Sequence, residues 1–144
     1  MNFNSCFWSV FLELFKTSLT EVLEKTAGIV PKDSQQALMQ GYVSGIKLLE
    51  TQEEVCIVAN TDFLKFLSEK MIFEENPSVE VLEDLIKEFA NLVVGHAKMI
   101  AEERGQNFHI STPYYYGVCM IQDYVKAMHF NIDDEKYCSI FLKV

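Results

Sequence analysis

The sequence predicts an α+β fold, with long amphipathic helices packed on one face of a mainly antiparallel β-sheet, and three observations carry that prediction. Apolar residues recur at three- and four-residue intervals in two long stretches, one near the start of the chain and one in its middle. Short runs rich in Val, Ile and aromatic residues, each bounded by polar turns, lie between and after them. Helical and strand-like stretches are also partly segregated along the chain instead of strictly alternating, which favours an antiparallel sheet over repeated βαβ units.

Taken in order, residues 3–25 read as a helix whose apolar side is built from Phe7, Phe11, Leu14, Leu19, Val22 and Leu23, stopped by Gly28 and Pro31. Residues 27–42 mix Gly, Pro, Asp, Ser and Gln and read as a connection holding a short helical turn or an edge strand. Residues 43–49 and 54–59 form a candidate hairpin around a polar turn. Thr61 is the expected N-cap of a helix over 62–73, with Phe63, Leu64, Leu67 and Met71 inward, ended by Asn76-Pro77. Ser78 is a second N-cap, and Glu80, Glu83 and Asp84 follow where the helix dipole favours negative charge. This long helix runs to about Arg104, with Gly105 as its left-handed C-terminal cap. Strands are expected over 107–111, 114–120, 124–132 and 136–144, with Asp133, Asp134 and Glu135 turning the last hairpin. The order long helix, strands, long helix, strands hints at two halves of similar size.

A chain of 144 residues with 49% hydrophobic and 23% charged residues has the profile of one globular domain, read here as residues 1–144. Twelve basic against 21 acidic residues give a net charge of −9, with no basic stripe, so nucleic acid is not an expected partner. Cys6, Cys56, Cys119 and Cys138 are scattered without a CxxC pair, which fits reduced thiols in the cytoplasm, Cys56 and Cys138 being packed in strands. The apolar start lacks a basic leader and carries Glu13, so it reads as a helix and not as a secretion signal. No stretch has the length of a membrane span, and no membrane insertion is expected. His96, His109 and His129 are too dispersed to suggest a metal site, and none is expected on this chain. Phosphate loops, dinucleotide fingerprints and nucleophile elbows are absent. Tyr114, Tyr115 and Tyr116 read as strand, and Asp123, Asp133 and Asp134 as turn residues.

The chemistry concentrates on the long central helix. At about 100° per residue, Leu82, Leu85, Phe89, Leu92, Val93, Met99 and Ile100 form a broad apolar arc. Asp84, Glu88, Asn91, Gly95, Lys98 and Glu102 form an opposing stripe expected to face solvent. Asn and mid-helix Gly cost about 0.6 and 1 kcal/mol relative to Ala, so something should compensate for them. The three-residue spacing sends Glu88 and Asn91 out together, and a glycine one turn on leaves room for another molecule to approach the carboxamide. On spacing alone the stripe reads first as an ordinary solvated face, with Gly95 admitting a neighbouring helix.

The segment from Asp84 through Lys98, with Pro113 beyond it, resembles the signature of the CheC, CheX and FliY chemotaxis phosphatases. In that signature Asp or Ser is followed by Glu four positions on, Asn three beyond that, and a Pro farther along; Asp84, Glu88, Asn91 and Pro113 match. Ser44 and Gly45 in the first hairpin also fit the family. One complete motif resembles the CheX-like members, whereas CheC-like members usually carry two. In the first helix Thr17, Glu21 and Glu24 repeat the spacing, but Glu24 occupies the Asn position, so that copy is expected to be empty. His96 departs from the family pattern and, lying toward the apolar arc, is expected to stay away from the chemistry.

The resemblance implies dephosphorylation of the aspartyl phosphate of a CheY-like response regulator, with Asn91 orienting the attacking water and Glu88 pairing with a lysine of the receiver. Asp84, Gly95 and Lys98 are the expected partner-binding residues. The chain itself is expected to bind no cofactor, Mg²⁺ being carried by the phosphorylated regulator. The resemblance also implies a homodimer, joined by sheet edges. The competing reading is a non-catalytic scaffold of the same family that binds a regulator, a CheD-like protein or a flagellar switch component.

Overall fold

A computed structural model describes the backbone of residues 5–144, and side chains from Val10 onward. The expected start of the first helix at Phe3, and the side chains of Cys6 and Phe7, lie outside the described residues. The elements in chain order are α1 (Ser5–Ala27), β1 (Lys32–Asp33), β2 (Gln40–Lys47), β3 (Glu54–Ala59), α2 (Thr61–Ile72), α3 (Val79–Glu103), β4 (Tyr114–Met120), β5 (Tyr124–Asn131) and β6 (Tyr137–Lys143). The strands form one six-stranded sheet in the order β1-β5-β6-β3-β2-β4, with every described pairing antiparallel.

That order has an internal symmetry. Exchanging β1 with β4, β2 with β5 and β3 with β6 reverses it onto itself, so the β3–β6 pairing is a pseudo-twofold axis and α1 corresponds to α3. Each half is a long helix followed by three strands, and the first strand of each half pairs with the second strand of the other. The hint of two similar halves thus becomes a definite arrangement.

The three helices cover one face of the sheet. Their apolar stripes and the inward residues Tyr42, Ile46, Val55, Ile57, Ala59, Phe130, Cys138, Ile140 and Leu142 form one continuous core. On the opposite face a smaller cluster, Val43, Cys56, Val58, Ile121 and Phe141, is partly roofed by Leu38 and Met39. Cys56 and Cys138 are buried in strands, and burial raises both thiols above their ordinary range.

Several expected boundaries move for identifiable reasons. Asn60, not Thr61, caps α2: its Oδ1 accepts from Phe63 N at 3.0 Å and from Tyr137 N at 3.2 Å, while its Nδ2 donates to Glu135 O at 2.8 Å. The amide therefore fixes the helix start and also binds it to β6, which a threonine hydroxyl has too few groups to do. Strand 107–111 does not form; a single bridge joins Ile110 to Leu48. The His109 N–H that would extend a ladder is taken by the Glu50 carboxylate at 2.9 and 3.0 Å, and Pro113 offers no donor. β2 begins at Gln40, earlier than expected, because β4 extends alongside it to pair Gln40 with Met120. Gly105 terminates α3 with φ +78°, as expected.

Candidate functional site

Helix α3 is positioned by both its ends and its inward face. The Ser78 hydroxyl accepts from Val81 N at 3.3 Å, and Leu82, Leu85, Ile86, Phe89, Ala90, Val93, Val94, Ala97 and Ala101 are buried. That face is wider than the wheel suggested, because α3 packs against the sheet and against α1 and α2 together. Met99, placed in the apolar arc by the wheel, is 57% exposed.

Glu88 and Asn91 are both exposed, three residues apart on this anchored helix. Among the described residues neither side chain has a hydrogen-bond or ion-pair partner, so both are free to engage an incoming molecule. Asp84 is exposed and pairs with Lys87 at 3.4 Å, and Lys98 pairs with Glu102 one turn on. The expected stripe is not uniformly exposed: Gly95 and Lys98 are half-buried. Asn91, Leu92, Gly95, His96 and Met99 form one wall of a groove of about 770 Å³, and Glu21, Val22, Lys25 and Thr26 of α1 form the other. A Cβ built at Gly95 would meet no atom within 4 Å outside its own helix segment. Gly95 is therefore not needed for helix packing, and the space over it is open to an outside molecule.

Reading the sequence missed Glu21 and His96 as parts of this site. His96 is not withdrawn into the core: its ring is about one-third exposed, lines the groove beside Gly95, and places Nε2 2.5 Å from Glu21 Oε2. One turn earlier on α1, the buried Ser18 hydroxyl donates to Val93 O at 2.5 Å. Two polar contacts thus join α1 to α3 along the flank of the exposed pair. The only sequence signal for this was the spacing of Thr17, Glu21 and Glu24. Among the described residues, no three or more His, Cys, Asp and Glu side chains gather as they would around a metal ion.

Pro113 ends the connection from α3 and leads directly into β4, where Ser44 Oγ donates to Tyr114 O at 3.0 Å next to an irregularity in the β2–β4 register. Pro113 therefore sets the entry of the strand that follows α3. A family model described as chemotaxis phosphatase CheX matches residues 50–124, the stretch from the first hairpin turn through α2, α3 and β4. The chain belongs to the CheX family. Chemotaxis protein CheX from Vibrio vulnificus has a similar fold, with 23% identity, a TM-score of 0.72, and 92% of this chain and 97% of that one covered. A CheX–CheY–BeF3–Mg²⁺ complex from Borrelia burgdorferi is similar over 93% and 98% of the two chains, at 17% identity and a TM-score of 0.67. FliY from Thermotoga maritima is similar over 97% and 91%, at 13% identity and a TM-score of 0.62. No curated protein sequence matches the chain. At these identities the structural likenesses establish the fold, three helices on an antiparallel sheet. Among the described residues no helix is long and apolar enough to cross a membrane.

Proposed function

We propose that this CheX-family protein hydrolyses the aspartyl phosphate of a CheY-like response regulator in the cytoplasm and so ends a chemotactic signal. The observation that carries this reading is the joint exposure of Glu88 and Asn91, both without intramolecular partners, beside the open space over Gly95. The Borrelia burgdorferi CheX bound to CheY supports the choice of partner.

Asn91 has both a donor and an acceptor at the end of a short side chain, which suits it to hold a water in line with the phosphorus. Its amide is no base, so its contribution is orientation and not proton abstraction. Glu88 is an acceptor-only carboxylate that would grip the receiver's active-site lysine and bring Asn91 into register. No covalent intermediate on this chain is required, and the Mg²⁺ belongs to the regulator. Asp84, Gly95 and Lys98 complete the contact surface, Gly95 by leaving room and the other two as a charged border. Because phosphoryl transfer rests on positioning and charge, removing the amide should cost on the order of 100-fold in rate. Timing phosphate loss from phosphorylated CheY-like receivers with wild type, Glu88→Ala and Asn91→Ala tests the reading; equal rates for all three would sink it.

A homodimer joined through β4 belongs to the same proposal. This strand is seven residues long, contains no charged residue and no proline, and occupies one end of the sheet with Tyr114, Val118 and Met120 exposed. The other end is partly covered by β1 and carries Lys126, the usual protections of an edge. Sedimentation should find a dimer that Val118→Lys converts to monomer; a wild-type monomer at high concentration would exclude the pairing.

A further inference from the structure

The two carboxylates Glu21 and Glu88 hold equivalent positions in the two halves, yet only Glu88 is free. Glu21 is about half exposed and hydrogen-bonds to His96, with Nε2 to Oε2 at 2.5 Å. Against an ionised carboxylate this contact is made with the proton on Nε2, so the ring covers the oxygen as a donor. The pair stands on the wall of the groove that contains Asn91, and the charged or titratable groups lining that groove are Glu21 and Lys25 from α1 and His96 from α3.

A partner that presents a phosphoryl group brings negative charge to this place. The chain already carries a net charge of −9, and an uncovered Glu21 would add a repulsive charge at the edge of the contact. The hydrogen bond from His96 occupies one Glu21 oxygen and screens it without removing the residue. We infer that His96 is a specificity-determining residue of the groove: by capping Glu21, the carboxylate of the unarmed half, it makes the α1 wall acceptable to an anionic, phosphoryl-bearing partner. This rests on the phosphatase reading above and adds a residue that acts on docking and not on the attacking water. His96 lies more than a full helical turn beyond Asn91 on an anchored helix, so its loss should leave the orientation of the amide intact.

The test uses full-length protein and CheY-like receivers, with affinity measured on receivers loaded with beryllofluoride and Mg²⁺, and KM and kcat measured on phosphorylated ones. His96→Ala should weaken binding and raise KM by roughly three- to fivefold, the range of a partly exposed charge effect, with kcat changed by less than about twofold. The double variant Glu21→Gln, His96→Ala should return both values to within about twofold of wild type, since the charge needing cover is gone. Rescue by deleting a carboxylate separates this role from a structural one, because a strut lost from one side is not restored by altering the other. Unchanged affinity in His96→Ala, or a double variant as weak as the single one, overturns the inference. Failure of the phosphatase reading is distinguishable: it would appear as equal turnover by wild type and Asn91→Ala, and a wild type that binds none of the receivers would overturn both.

Discussion

In α3, Glu88 and Asn91 reach solvent with no partner, whereas in α1 Glu21 is held by His96 and a second carboxylate, Glu24, stands at the position equivalent to Asn91. The inward sides of the same two helices have not diverged in this way. Phe15 and Leu82, Ser18 and Leu85, Leu19 and Ile86, Val22 and Phe89, Leu23 and Ala90 are equivalent pairs, and every member is buried. The pseudo-twofold is thus maintained by packing, which the fold cannot do without, while the outward positions of the two helices differ. Outward residues of a helix cost little to exchange; inward ones must fill the space left for them.

The largest differences between α1 and α3 are expected in the core. Phe89→Ala should cost about 3–5 kcal/mol, against about 2 kcal/mol for Val22→Ala, because the larger ring leaves the larger cavity. Urea unfolding of both variants measures this, and equal costs would mean that the two helices do not share the core as described. The outward faces should differ next: where Asn91→Ala costs the expected 100-fold or so in receiver dephosphorylation, Glu24→Ala should change the rate by less than about twofold. Adding Glu24→Asn to Asn91→Ala should not restore turnover, since Glu21 remains tied to His96. Recovery would mean that one amide suffices to rearm α1.

A smaller effect concerns the link between the helices. Ser18→Ala deletes the buried hydrogen bond to Val93 O and should cost about 1 kcal/mol without touching the exposed pair, as a shift in denaturation midpoint at unchanged slope. The smallest expected effect links the halves at their loops. Hydrogen bonds from the backbone and ring of His109 hold the Glu50 carboxyl down to about 2, from an ordinary 4.5. A depressed carboxylate stabilises the folded state fully above its unfolded value and loses that contribution as pH falls. The Tm advantage of wild type over Glu50→Gln should therefore be constant above pH 4.5 and shrink as pH falls toward 2. An advantage unchanged across that interval would rule out this link.

The layer arrangement and the long helices were legible in the sequence because they are written in periodicity, and the Asp84, Glu88, Asn91 stripe stood out because it resembles a family signature. Ser78 and Gly105 marked the ends of α3, and the alternation through Tyr114 to Met120 marked β4. What stayed hidden depended on contacts between distant segments. Thr61 was the expected cap, but Asn60 takes that place because its amide also reaches Tyr137 and Glu135. The strand expected over 107–111 was lost to a carboxylate 59 residues earlier in the chain. A wheel drawn for one helix put Met99 and His96 with the apolar residues, but the groove between α1 and α3 turned them outward. The role of His96 needed Glu21 beside it, and no local pattern brings those two together.

Neither half closes its own sheet: β1 completes a row begun by β5, and β4 one begun by β2. Severing the chain in the link between α2 and α3 would yield two fragments, each deprived of a neighbour that only the other supplies. Such pieces should be poorly soluble apart and reassemble when mixed, and the intact molecule should fold slowly, since its pairings wait on remote sequence.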